Sequence, residues 1–412
     1  MKQQRTISIV TAAVFVLFIF ALTAAFIIMP DKSESQTERR YLQQFPELTW
    51  DTFSSGKFGS QINDYFNDQF PLREAFLELK TSVERLLLKG ENNGVLIGKN
   101  GQLAVRYFEA TDGEIHVDKD GNYAAEPYTD SFYAKNIEKQ FAAIKTLESA
   151  LAEKGVPLYV LLPPRTVDVA CSAFAYPKDN SDALIGCVRE NAEGLEHFID
   201  MYDIYRARYD NGEYVYYKTD HHWTTLGAYY AYAELCKAAG YIPPDTDRFV
   251  VRTAAEDFIG TTAAKAGMLH NDPDVIEYWL ARDNSNVQLK MYVSKKYTGE
   301  DAVEYNSLFD LSYLESYDKY GMFLSGTNVY TEVVHEDGAY HKKALLLKDS
   351  FGHSLAQFLA CRYDLTVLNI ANLSSIKIDP REYDCVIICF NLENLITTNN
   401  LLQLRSVPDL VD

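Results

Sequence analysis

The stretch "KALLLKDSFGHSLAQFLACRY", Lys343 to Tyr363, decides the fold. Ala344 to Leu347 are apolar without alternation, as in a strand buried on both faces, and from Phe351 onward apolar residues recur at helical spacing. A buried strand that runs straight into a helix is half of a parallel α/β unit. Outward from it, "PLYVLLPP" (157–164), "TVLNI" (366–370) and "CVIICFN" (385–391) read as further buried strands. Residues 131–155 and 224–240 read as helices, the second stopped by Gly240 and Pro243-Pro244. The expected fold is α/β, with a mostly parallel sheet and helices on both faces.

The chain has 412 residues, 47% of them hydrophobic and 13% aromatic, which is ample for a packed core. With 39 Lys+Arg against 58 Asp+Glu its formal charge is -19, and such a surface repels phosphate backbones, so nucleic acid is not an expected partner. An acidic polysaccharide stays open, because a basic groove can hide within an acidic whole. Ile7 to Met29 carries no charge and, at about 1.5 Å per residue, spans a bilayer core with some tilt. Lys2 and Arg5 precede it uncompensated, whereas Asp31 to Arg40 mixes both signs, so the amino terminus is expected in the cytoplasm and the body outside, in the cell membrane as a single-pass protein. A cleaved signal peptide is the competing reading, with Thr23 to Ala25 as its small-residue site. The expected organisation is a cytoplasmic tip and transmembrane anchor at 1–30, a helical segment and hairpin at 31–110, and an α/β domain at 111–412 with a strand and loop insertion at about 245–340. The hairpin is "GVLIGKNGQLAVRY", with Asn100-Gly101 at its turn. Among six cysteines, Cys171 and Cys187 flank a polar loop and form the expected disulfide. Cys385 and Cys389 lie too far apart along one strand to bond to each other.

In open parallel sheets, functional groups gather where strands end. Ser350 stands there, at a helix start whose backbone N–H groups are suited to an oxyanion, although a serine in this place also serves as a helix cap. A second concentration of chemistry is "KTDHHWTTLGAYYAY", 218–232, because the chain has only eight histidines. Asp220 and His222 are one residue apart, close enough for the carboxylate to orient the imidazole as a base for a serine. Structural hydrogen bonding and a metal site are the alternatives. No zinc-ligand spacing is present, and neither a metal nor a cofactor is expected.

Asp220-His221-His222-Trp223 resembles the string that names the DHHW proteins of bacteria. It is also similar to the motif of the alginate O-acetylation proteins (AlgJ/AlgX-like), whose domain is SGNH hydrolase-like. "GKFGSQINDYFNDQFPLRE", "NNGVLIGKNGQL", "DKYGMFLSGTN" and "LLLKDSFGHSLAQFL" extend the resemblance over most of the chain. It implies Asp220 as acid, His222 as base and Ser350 as nucleophile, with the acid/base motif before the nucleophile. It also implies a multi-spanning membrane O-acyltransferase as acetyl donor and a cell-surface polysaccharide as acceptor. Lys348 departs from the glycine that eases the nucleophile turn. Asn328, or alternatively Asn391, is the candidate oxyanion donor; Arg165, in "LLPPRTVD", and Trp223, together with Tyr217, are candidates for substrate binding. The implied function is an extracytoplasmic O-acetyltransferase or acetylesterase with a Ser-His-Asp mechanism. A catalytically idle glycan-binding or assembly subunit is the alternative.

Overall fold

The computed structural model describes residues 2–35, 40–106, 116–117, 123–124, 132–174, 178–268, 271–296 and 301–406. The first residue of the expected 131–155 helix and part of the loop between Cys171 and Cys187 lie outside them. Two compact units result, Met1–Asn93 with Ala264–Leu269, and Gly94–Ala263 with His270–Asp412.

The first unit begins with one helix, Lys2–Ile28, long and apolar enough to cross a membrane. Three shorter helices follow at Trp50–Ser54, Lys57–Asp68 and Arg73–Leu86. They are parted where Gly56 and Leu72 take left-handed backbone angles. Thr49 caps the first of the three, accepting from Thr52 N at 3.2 Å. Buried Asn92 closes the unit by donating to Thr81 Oγ1 (3.1 Å) and Ala266 O (2.8 Å).

The second unit is built on one eight-stranded sheet. Its order is Val303–Tyr305, Leu289–Ser294, Tyr330–His335, Tyr363–Asn369, Lys342–Lys348, Cys385–Cys389, Leu158–Leu161, Phe198–Ile199. The last five strands in that order run parallel to their neighbours, and the first three join by antiparallel pairing. Those antiparallel strands all come from residues 289–335. The stretch 245–340 therefore extends the main sheet, and its remaining strands, Phe249–Phe258 and Asp274–Ala281, pair as a separate hairpin.

Side chains along Lys342–Lys348 alternate between two cores. Ala344 and Leu346 enter one with Trp223, Leu235 and Phe358, so the helices Thr225–Ala238 and Gly352–Leu359 cover that face. Leu345 and Leu347 enter the other with Ile144, Val188 and Leu395, which places the helices Phe132–Ala152, Lys178–Ala192 and Leu392–Thr397 on the opposite face. Both faces are covered, which is why this strand shows no polar alternation. Truncating fully buried Leu346 to alanine would cost about 2–5 kcal/mol. The small hairpin Val95–Ile97 and Leu103–Val105 turns through Asn100 (φ 56°) and Gly101 (φ 77°), both left-handed, which these two residue types tolerate best.

The expected Cys171–Cys187 disulfide is absent: all six cysteines are free thiols. The intervening stretch is not an open loop, because Cys187 lies within the helix Lys178–Ala192, packed against the second core and facing Asn191. Burial pushes its thiol pKa up.

Candidate active site

The loop carrying Asp220 and His222 is held from both ends. Tyr216 pairs with Trp223 as an antiparallel bridge, and Tyr217 N donates to His222 O at 3.2 Å, leaving Lys218 to His221 at the tip. The Gln102 side chain donates to Tyr217 O (2.9 Å), and Thr219 N donates to the buried Asp274 carboxylate (2.7 Å). Thr224 then caps the next helix, accepting from Gly227 N at 3.2 Å. The loop is thus rigid before its chemistry is considered.

Asp220 is buried, and its Oδ1 accepts from His222 N (3.0 Å) and lies 2.5 Å from His222 Nδ1. Its Oδ2 accepts from Thr261 N and Thr261 Oγ1, both at 2.8 Å. Burial alone would raise the carboxyl pKa, but the neighbouring His221 and His222, with the bonds from His222 and Thr261, hold it well below the usual range. Gly260 permits this approach, because a Cβ there would lie 2.2 Å from Asp220 Cβ. A carboxylate only accepts, so Nδ1 of a neutral His222 carries the proton and Nε2 is left as an acceptor. Nε2 lies 2.7 Å from Ser350 Oγ, across a separation of 128 residues.

Ser350 follows the strand Lys342–Lys348 directly. Asp349 holds the turn: its carboxylate accepts from Phe351 N (3.0 Å), Asn391 N (2.7 Å) and Asn394 Nδ2 (2.8 Å). Aromatic rings fix the imidazole, with Tyr320 stacked on His222 at 4.0 Å and 12°, and Phe351 at 4.9 Å. The Tyr320 hydroxyl is 3.0 Å from Ser354 Oγ, which also accepts from Trp223 Nε1 at 2.8 Å. Beneath the turn lies Lys348, 3% exposed, whose stem needs Gly352, since a Cβ there would meet Lys348 Cβ at 2.6 Å. Burial lowers its amine to about 7, against the pull of Asp349. His353 is also buried, with both ring nitrogens lacking a hydrogen-bond partner among the described residues. Burial, then Lys348 and His222, holds its pKa well below the ordinary histidine value.

Asp220, His221 and His222 bring their ligand atoms close enough to hold a metal ion. Yet both Asp220 oxygens, both His222 ring nitrogens and His221 Nδ1, which faces Thr261 Oγ1 at 2.9 Å, already have protein partners. The donor set fits an oriented base better than an ion.

The structure brings Asp220, His222 and Ser350 together and gives the side chains of the other sequence candidates other partners or buries them. Asn328 Nδ2 donates to Leu324 O (2.9 Å) and Ser325 O (3.1 Å), closing its own loop. Asn391 Nδ2 donates to Pro163 O (2.9 Å) while its Oδ1 caps Glu393 N (2.8 Å). Neither amide is directed to an oxyanion, because nearby backbone carbonyls take its donors. Arg165 is buried in an ion pair with Asp168, at 2.8 Å through both Nε and Nη2. Trp223 and Tyr217 are fully buried and present no face to a sugar. Of the residues that sequence reasoning missed, Tyr320 lies inside the quoted "DKYGMFLSGTN", whereas Thr261 and Asn394 stand in unremarkable surroundings and are placed by tertiary contact alone.

The doubly covered, mostly parallel α/β sheet is an SGNH hydrolase-like fold. More closely, the chain belongs to the DHHW protein family, whose model matches residues 108–368. Among solved structures it is similar to a DHHW family protein from Eubacterium siraeum DSM 15702, with 18% identity and a TM-score of 0.55 over 76% of this chain and 95% of that one. It is also similar to Bacillus cereus PatB1 with a sulfonyl adduct, at 17% identity and TM-score 0.51 over 65% and 91% of the two chains. The O-acetyltransferase domain of Pseudomonas putida AlgJ follows at 14% and 0.45 over 77% and 99%. At these identities the likeness concerns the fold. No curated protein matches the chain.

Proposed function

We propose that this protein is a membrane-anchored, extracytoplasmic serine enzyme that transfers acetyl groups to, or removes them from, a cell-surface or exported polysaccharide. One observation carries the reading: the His222 ring lies between Asp220 (2.5 Å) and Ser350 (2.7 Å), each on its own nitrogen. As Ser350 Oγ forms its bond to the acetyl carbonyl carbon, its proton passes to His222 Nε2, and Asp220 stabilises the resulting imidazolium. The proton then passes to the leaving oxygen as the old ester bond breaks. A glycan hydroxyl, or water, then gives up its proton to Nε2 and bonds to the acetyl carbon; the acyl–serine bond breaks and the proton passes from Nε2 to Ser350 Oγ, restoring the starting state. The N–H groups of Phe351, Gly352 and His353 are taken by Asp349 and Ser350, so these three are not free to hold the oxyanion. The acetyl donor in this reading is a multi-spanning membrane O-acyltransferase, and the amino terminus of the anchor is cytoplasmic.

The test is glycan acetyl content in cells carrying Ser350→Ala, paired with labelling of the purified chain by a sulfonyl fluoride. Loss of both in the variant is expected. Equal acetyl content in variant and wild type would leave the protein as a glycan-binding or assembly subunit.

A further inference from the structure

The amino-terminal unit carries an unusual amount of exposed apolar surface. Phe45 (64% exposed), Leu48 (63%), Trp50 (79%), Phe53 (63%) and Phe66 (52%) all face outward. Scattered apolar residues on a surface are ordinary, but these five, four of them aromatic, belong to a unit that also exposes Leu79, Leu86 and Leu88, and apolar surface of that extent calls for a partner. Their position indicates which one. The Lys2–Ile28 helix is exposed along most of its length and becomes partly covered only at Leu22, Ala25 and Phe26. The Phe26 ring packs on Tyr65 at 5.8 Å and on Phe66 at 5.3 Å, and Phe45 packs on the same Tyr65 at 5.3 Å. Phe26 stands three residues before Met29, the end of the charge-free run, which is about 4.5 Å at helical rise. The Lys57–Asp68 helix therefore touches the anchor below the point where the anchor's own sequence leaves the apolar phase.

Two acids beside this contact have partners within the unit. Asp31 accepts from the Tyr65 hydroxyl at 3.0 and 3.1 Å, and Asp68 forms a two-pronged pair with Arg40 at 2.5 and 2.8 Å. Aromatic residues in such a place match the belt that membrane proteins carry at the boundary between hydrocarbon and water.

We propose that the face formed by Phe45, Leu48, Trp50, Phe53 and Phe66 lies on the lipid surface of the bilayer that the Lys2–Ile28 helix crosses. The inference rests on the anchor reading and is independent of the serine chemistry. It makes the first unit a foot planted on the membrane, with lipid acyl chains and headgroups as its partner.

Trp50 is a built-in probe, because the other two of the three tryptophans, Trp223 and Trp279, are buried at 0% and 4% exposure. The full chain is reconstituted in phosphatidylcholine vesicles whose acyl chains are plain or brominated near the headgroup. Bromine is expected to remove the Trp50 share of the emission, and Trp50→Phe to abolish the difference between the two lipids. Leu48→Trp on that background restores quenching, and the unshifted emission of Trp223 and Trp279 reports that each variant is folded. Equal emission in both lipids from chain that floats with the vesicles overturns the proposal and gives the face to a second copy or another protein. Failure of the full chain to float overturns the proposal and the anchor together. Sulfonyl fluoride labelling in the same vesicles reads the serine chemistry separately, so a loss there leaves the lipid contact standing.

Discussion

Replacing Asp220 by asparagine preserves the shape of the side chain and removes its charge and half of its acceptor capacity. Asp220 receives four hydrogen bonds, from His222 N (3.0 Å), His222 Nδ1 (2.5 Å), and Thr261 N and Oγ1 (2.8 Å each). Asparagine has one acceptor oxygen. With that oxygen kept on Thr261, the amide N–H groups face His222, and the ring accommodates them only by moving its proton from Nδ1 to Nε2. Nε2 then faces Ser350 as a donor, and the base is gone. Loss of the correct tautomer in such a triad lowers turnover about ten-thousand-fold, ~5 kcal/mol of transition-state stabilisation. The stranded His222 N–H adds a folding cost of about 1–3 kcal/mol. Stability should also lose a pH dependence. The depressed Asp220 pKa contributes stability above the unfolded carboxyl value of about 3.9, and this is lost as pH falls through the folded value. The gap between wild type and Asp220→Asn is therefore expected to be constant above about pH 5 and to close below about pH 4. Release of nitrophenol from nitrophenyl acetate, with Ser350→Ala as the zero, measures the turnover, and urea unfolding measures the stability. Turnover within about tenfold of wild type in a folded Asp220→Asn chain would refute the tautomer argument.

Tyr320→Leu removes the ring stacked 4.0 Å from His222 and should lower turnover about tenfold, while Tyr320→Phe keeps the ring and should cost only ~1 kcal/mol of unfolding free energy; equal turnover in the two variants would count against positioning by stacking. Gly260→Ala drives a methyl to 2.2 Å from Asp220 Cβ, so a loss of at least ~2 kcal/mol in urea unfolding is expected, and an unchanged midpoint would show that the loop has room. Lys348 is protonated below about 7 in the folded chain but below about 10 when unfolded, so wild-type stability should rise by a few kcal/mol from pH 7 to 10 as the unfolded state gives up its extra proton. Lys348→Met should be more stable at pH 7 and lack that rise, and a rise of equal size in the variant would mean that another group causes it.

The parts of the fold legible in the sequence are those encoded by local pattern. Ala344 to Leu347 announces a strand covered on both sides because each residue must satisfy one of two cores. The Asp220-x-His222 spacing is legible because the carboxylate reaches the ring across a single residue. What could not be read depends on which carbonyl happens to lie nearby. Asn328 and Asn391 are plausible oxyanion donors as residue types, yet neighbouring backbone oxygens claim both amides. Arg165 ends a strand like a ligand-binding arginine, but Asp168, three residues on, folds it back. The stretch 245–340 reads as a strand and loop insertion because its strands mix polar and apolar residues, which is how antiparallel additions to a sheet edge look.

The strand Cys385–Cys389 is the last strand among the described residues but sixth from the sheet's antiparallel edge, hydrogen-bonded between Lys342–Lys348 and Leu158–Leu161. The pair Leu158–Leu161 and Phe198–Ile199 meets the rest of the sheet only through it. A chain made amino terminus first therefore contains Asp220, His222 and Ser350 before the strand that closes the sheet has been made. Contacts of such long sequence separation form slowly, and domains emerging during synthesis settle in the order in which they become complete. Completion of the sheet beside Ser350 therefore waits for residues 385–389, and a chain truncated before residue 385 is left with five strands and two, an unpaired edge on each.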